Sequence, residues 1–241
     1  MSKIKLYVLP ASHPCVAVEA ALKLKSIPFD RVDLLPLTQL AIGPLRYGGY
    51  TVPGIRIDGE RIVGSRPIMR RLDELEPEPP LLPPAGDPTR ERVLEAERWG
   101  DEELQPVPRR LLPRAFVRKP ALMESFLADD VELPLPRTLL RPGLPITARL
   151  LAARSKATDK GVGAALLALP AHLDRIDAWI ADGLLGGEQP NAADLQIGAT
   201  IRLLLAIAEA RALIAGRPAE RLTRYFPPMV GEVPAGTLPT Q

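Results

Sequence analysis

The chain has 241 residues, 46% of them hydrophobic, and a formal net charge of +2, so it can bury a core in one large domain or two small ones. No basic run is interleaved with aromatics, which excludes nucleic acid as a natural partner, and the apolar runs are too short and too often broken by basic residues to span a bilayer. One cysteine and two histidines exclude an internal disulfide framework and leave no zinc set, and the short apolar stretch before Pro10 is no signal peptide. The expectation is a soluble, cytoplasmic protein without a metal.

In chain order, Lys3 to Leu9 alternates as a short buried strand that Pro10 ends. Pro14 suits the first turn of a helix carrying Val16, Ala20, Leu22 and Leu24. Ile27 to Leu34 reads as a second strand, parallel to the first through a right-handed crossover. Leu37 to Tyr47 is a weak helix or a loop. TVPGIRIDGERIVGS then reads as two strands around Asp58-Gly59, where both residues tolerate positive φ. Ser65 is expected to cap a helix from Arg66 to Leu75.

Proline supplies 28 residues, well above the roughly 5% average, and half of them fall between Pro77 and Pro88 or between Pro106 and Pro145. EPEPPLLPPAGDP lacks donors and reads as a semi-rigid linker. Beyond it the pattern is helical: Thr89 to Leu104, Ala121 to Ala128, Pro145 to Ala157, Gly163 to Leu184, Ala192 to Arg211 and Pro218 to Tyr225. The stretch ADDVELPLPRTLLRPGLPI is too rich in proline for a regular helix and reads as a lid, a dimer element or an insertion. The division is a small α/β domain over residues 1–77, a linker over 78–88, an all-α domain over 89–230 and a tail over 231–241.

Three motifs carry chemistry. Ser12-x-x-Cys15 follows the first strand, Val52-Pro53 precedes the third, and Gly64-Ser65-x-x-Ile68 opens the third helix. Val52-Pro53 is a candidate cis bond at a strand start. In PNAADLQI, Asn191 can accept from the N–H of the third helical residue while Asp194 reaches back to the cap, a folding device without catalysis. Together these resemble the cytosolic glutathione transferases, over nearly the whole chain except 116–161. The resemblance implies a thioredoxin-like N-terminal domain, an all-helical C-terminal domain and a homodimer, with detoxification as the family role.

Aligning LKLKSIPF on the family's ending of its first helix puts Ser12 at the catalytic position. A serine hydroxyl there donates to a bound thiolate, and the helix N-terminus adds partial positive charge. Both favour ionisation of the cosubstrate thiol, which is the nucleophile. Cys15 falls at the resolving position of a C-x-x-C motif and ranks behind Ser12, its alternative being a small buried hydrophobe. His13 reads as a solvated loop residue and His172 as part of an ordinary amphipathic helix.

The resemblance further implies that Val52, held by Pro53, pairs with the cysteinyl part of glutathione, and that Gly64 and Ser65 hold its γ-glutamyl carboxylate at a helix N-terminus. Gly64 stands where the family usually has Glu or Gln, and Thr51 where it often has Lys, so another low-molecular-weight thiol stays open as cosubstrate. The partner is a small hydrophobic electrophile in a pocket between the domains, with Trp99, Leu111, Leu112 and Phe116 as candidate lining. Three other readings stay open: a Cys15-dependent thiol reductase, a non-enzymatic interaction protein with this fold, and a membrane-associated isomerase with a similar N-terminal domain.

Overall fold

The computed structural model describes residues 3–127, 131 and 136–239. Four short strands form one mixed sheet in the order β2-β1-β3-β4, with β1 at Ile4–Val8, β2 at Asp30–Asp33, β3 at Gly54–Ile57 and β4 at Glu60–Val63. β1 and β2 run parallel, with Leu6 opposite Arg31, and helix α1 (His13–Leu24) makes the crossover. β3 lies antiparallel to β1 and β4 closes a hairpin on it. The hairpin turn takes φ 49° at Asp58 and 101° at Gly59, the pair of positive values that a two-residue turn needs and that Asp-Gly supplies with little strain. The second strand is shorter than expected, because Ser26 turns with φ 53° and pairing with β1 begins at Asp30.

Helix α2 spans Gln39–Arg46 and α3 spans Ser65–Leu75. Leu6, Val8, Ile55, Leu22, Met69 and Leu72 are buried together between the sheet and α1 and α3, each worth about 1.5–3 kcal/mol. A smaller cluster of Tyr7, Leu34 and Tyr47 covers the other face, with the two tyrosine rings 5.1 Å apart. The start of α3 differs from the expected one. Ser65 is the first residue of the helix, and the N-cap is Gly64 at φ 93°, a backbone conformation that suits glycine.

The proline-rich segment after α3 is no free spacer. Asp73 accepts from the backbone N–H groups of Leu81 (2.9 Å) and Leu82 (3.1 Å), and both leucines are buried. The buried ammonium of Lys25 pairs with Asp73 at 2.7 Å and donates to the carbonyls of Glu76 and Pro79. Leu81 in turn accepts from the N–H of Ala192 at 2.7 Å, which ties the segment to the helical half.

Helix α4 (Thr89–Trp99) runs into a π-helical turn, Gly100–Leu104, and on into α5 (Pro106–Arg118). The prolines between 106 and 113 point to irregular structure, yet this stretch is a 13-residue helix. Pro106 stands at its start, where no N–H is needed. The widened turn closes with Gln105 N–H to Gly100 carbonyl, 3.0 Å. Gly100 lets this turn lie against Ile197, where a Cβ would stand 2.8 Å from its side chain.

The remaining helices are α6 (Leu122–Ser125), α7 (Arg137–Leu140), α8 (Leu144–Arg154), α9 (Asp159–Ala181), α10 (Ala192–Leu205) and α11 (Ala208–Ile214), with 3₁₀ turns at Arg141–Gly143 and Pro218–Tyr225. The expected helix over 121–128 is a single turn. The expected helix over 192–211 is broken at Ile207, which takes extended backbone and bridges to Val233. Within the proline-rich stretch 128–146, residues 128–130 and 132–135 lie outside the described residues. No helix among the described residues is long and apolar enough to cross a membrane.

Helix α10 is buried along nearly its whole length and packs on α1, on α4 and on the last 3₁₀ turn, so it joins the two halves. At Gly198 an added Cβ would stand 2.8 Å from the Leu222 carbonyl and 2.9 Å from the Phe226 ring. Gly198→Ala is expected to lower stability by about 1–3 kcal/mol through overpacking. Urea denaturation monitored by circular dichroism reads this.

Candidate active site

The site starts where β1 ends. Ala11 turns the chain with φ 60°, and the Ser12 N–H donates to the Leu9 carbonyl at 3.1 Å. The Ser12 carbonyl accepts from the N–H groups of Cys15 (3.0 Å) and Val16 (3.1 Å), so Ser12 is the N-cap of α1. Its side chain makes no capping bond. A serine at an N-cap ordinarily uses its hydroxyl for that purpose. Here the residue lines a cavity of about 680 Å³ between the sheet domain and helices α5, α6 and α8.

Val52 also lines this cavity, and the Val52-Pro53 bond is cis. The Pro53 carbonyl accepts from the Gly64 N–H at 2.9 Å, so the two loops named by the sequence motifs are joined. Ser65, however, is only 5% exposed and is not part of the cavity wall, which on this side is formed by Tyr50, Thr51 and Val52. The start of α3 is fixed from the helical half. Glu97, fully buried on α4, takes both guanidinium nitrogens of Arg70, one of them at 3.1 Å. Burial raises the Glu97 pKa and Arg70 opposes it.

Cys15 lies one turn further along α1, 1% exposed and packed in the core. Its nearest open space is a separate groove, also bordered by Glu19, Lys23 and Met229. Burial pushes its thiol pKa up to about 12 against the opposing pull of the Ser12 hydroxyl. Thiolate, not thiol, is the reactive form. Cys15 is therefore expected to resist a neutral-pH disulfide reagent in the native protein and to react at once in denaturant. Stoichiometric labelling of the folded chain would contradict this.

Sequence reasoning missed part of the site. His13 is not a solvated loop residue: it opens α1 at 5% exposure and lines the cavity. Its imidazole is held neutral, first by burial and then by the nearby positive charge of Arg109, with only the Gln105 amide favouring protonation. Gln105 accepts a hydrogen bond from Arg109. Neither His13 Nε2 nor Gln105 Nε2 makes a hydrogen bond of regular geometry. Arg109 was hidden by the prolines around it, which disguised α5 as irregular chain; a three-to-four residue spacing through Arg109, Leu112 and Phe116 was the available signal.

Of the four expected lining residues, Leu112 and Phe116 are on the wall and Leu111 and Trp99 are not. Trp99 stacks edge-on with Trp179 at 5.1 Å and with His172 at 5.4 Å, beneath the Arg175 guanidinium. Met123, Phe126, Leu144 and Leu151 complete an apolar wall. Among the described residues no group of His, Cys, Asp and Glu is arranged to hold a metal ion.

Residues 6–80 match the glutathione S-transferase N-terminal domain family. No curated protein matches the sequence. Among solved structures, the chain is similar to FzlA from C. crescentus, with 20% identity, a TM-score of 0.60 and coverage of 92% of this chain and 85% of that one. It is also similar to glutathione transferase F7 from Populus trichocarpa, with 18% identity, a TM-score of 0.61 and coverage of 92% and 91%. A third is maleylacetoacetate isomerase from Anaeromyxobacter dehalogenans 2CP-1, crystallised with bound dicarboxyethyl glutathione, with 21% identity, a TM-score of 0.53 and coverage of 93% and 89%. The chain therefore has the glutathione-transferase fold, a thioredoxin-like domain followed by a helical one, and the family match lies within the first of these.

Proposed function

We propose that this chain is a glutathione-transferase-like enzyme that activates a low-molecular-weight thiol, glutathione in the first instance, at Ser12 for attack on an electrophile in the neighbouring cavity. One observation carries this reading: Ser12 is an N-cap on the cavity wall whose hydroxyl makes no capping bond and faces a sulfur, the Cys15 thiol, instead. The hydroxyl donates to the thiol sulfur, the α1 N-terminus adds positive potential, and the thiol loses its proton to solvent more easily. The thiolate then forms a bond to the electrophilic carbon, which either expels a leaving group with its electron pair or, in an activated double bond, passes the π pair to the neighbouring carbon, where a proton from solvent is taken up. Val52 pairs with the backbone of the cysteinyl part, and the N-terminus of α3 at Gly64 and Ser65 receives the γ-glutamyl carboxylate. Cys15, protonated and sealed from this cavity, takes no part.

A calorimetric titration of reduced glutathione into wild type and Ser65→Ala tests the binding half. Binding in the micromolar-to-millimolar range, weakened in the variant, supports it. A second reading is favoured by the burial of Ser65 and by Thr51 and Gly64 standing in place of a lysine and of a Glu or Gln: an interaction protein with the fold and no thiol site. Absence of binding by glutathione and by other small thiols leaves that reading standing.

A further inference from the structure

Helix α8 is apolar on more than one face. Its Ala148 and Ala152 are buried, and it packs on α5. Leu144 and Leu151 stand on the cavity wall. Yet Ile146 and Leu150, one turn apart, are 63% and 51% exposed, and Leu139 of α7 is 67% exposed. A helix that is apolar all round is ordinarily covered all round, and the outer face of α8 is bare.

Charge says which cover this face fits. From Pro136 to Thr158 the sequence holds Arg137, Arg141, Arg149, Arg154 and Lys156 and no acidic residue. Asp129, Asp130 and Glu132 precede this stretch and lie outside the described residues. Arg141 is held by Glu124, and Asp159 beyond the stretch is held by Arg114 and Arg118. Arg149 and Arg154 are exposed beside the apolar stripe and make no ion pair among the described residues. A second copy seated here by symmetry would set these cations against one another. The face also borders the mouth of the cavity, where Leu139 and the 62% exposed Tyr50 line the wall. A protein seated there would close the mouth, whereas a lipid surface would leave an apolar route into it.

We propose that the outer face of α8 docks on an anionic lipid surface, with Leu139, Ile146 and Leu150 entering the acyl boundary and Arg149 and Arg154 reaching the headgroup phosphates. Arginine suits this place because its stem lies along apolar surface while its guanidinium stays at the polar level. The attachment is to one leaflet and needs no spanning helix. It goes beyond the Ser12 reading and involves no thiol, so its failure leaves that reading untouched.

Sedimentation of the full chain with extruded vesicles, without glutathione, tests this. Wild type is expected to follow vesicles of phosphatidylcholine with phosphatidylglycerol and to stay in solution with phosphatidylcholine alone. Arg149→Gln with Arg154→Gln weakens binding about 30-fold, and Ile146→Ser with Leu150→Ser weakens it by at least about tenfold. Removing the same charge from β4 and the last 3₁₀ turn, by Arg61→Gln with Arg221→Gln, leaves binding nearly unchanged. All of these side chains are exposed, and circular dichroism checks that each variant is folded. Wild type that ignores both kinds of vesicle, or binds both alike, overturns the proposal whatever the variants do. An equal loss in the Arg61 and Arg221 pair also overturns it, since binding would then follow net charge alone. Binding of soluble polyglutamate without binding of vesicles overturns it too, and assigns the face to an acidic protein.

Discussion

Asp194→Ala lowers the stability of the fold by about 2–6 kcal/mol, with two buried backbone donors each costing about 1–3 kcal/mol when left unanswered. In the native protein Asp194 Oδ1 accepts from the Gly186 N–H at 2.7 Å and Oδ2 from the Asn191 N–H at 3.0 Å. The Asn191 side chain accepts from Ala193 and Asp194 N–H groups at 2.9 and 3.0 Å and donates to the Leu184 carbonyl at 2.9 Å. This reciprocal cap starts α10, the helix that α1, α4 and the last 3₁₀ turn all pack against. Its loss is felt in both halves of the molecule. Asp194→Asn keeps one acceptor and is expected to cost about half as much.

The same group has a signed pH dependence. Burial raises the Asp194 pKa from 3.8 to about 6 against its backbone donors. Between those values the folded state binds more protons than the unfolded one, so this group's contribution to stability falls as pH rises. The penalty of Asp194→Asn is therefore larger at pH 4 than at pH 7, measured by urea denaturation at both. A penalty that grows with pH would show that the carboxylate's charge, and not its buried protonated form, holds the cap.

Ser12→Ala produces the largest expected effect on chemistry. A charge-assisted hydrogen bond to a thiolate contributes about 1.5–3 kcal/mol, so turnover with glutathione drops roughly 10- to 150-fold. Stability separates this role from a structural one. A serine whose hydroxyl caps a helix costs about 0.5–2 kcal/mol when replaced by alanine. Ser12 makes no such bond, so the variant should stay within about 0.5 kcal/mol of wild type. Ser12→Thr keeps a hydroxyl and should recover part of the activity. A variant that unfolds early but turns over normally per folded molecule would assign Ser12 to the fold alone.

Much of the framework was legible because local chemistry and global fold agree there. Asp58-Gly59 announced the hairpin, Pro10 and Pro14 bracketed the β1–α1 turn, and Asn191 with Asp194 announced a cap that the structure contains in full. What was not legible came from tertiary context. The prolines of α5 lie in a regular helix entered through a π-helical turn that no local signal announces. With α5 unread, Arg109 had no place on a cavity wall, and His13 had nothing to bury it. Trp99 was expected at the pocket because it lies in the helical stretch from Thr89 to Phe116; its ring packs against Trp179 and His172 of α9 instead. Ser65 was expected to serve as a cap, a role that the positive φ of Gly64 takes over.

The most direct test of thiol activation at Ser12 is the thiol pKa of bound glutathione, followed by thiolate ultraviolet absorbance in wild type and in Ser12→Ala. Cys15 is silent in this measurement, since its own thiol ionises only near 12. The expected result is a bound thiol pKa well below the ordinary value of about 8.5 in wild type and a rise of about one to two units in Ser12→Ala. An identical pKa in the two proteins, with glutathione bound in both, would contradict it.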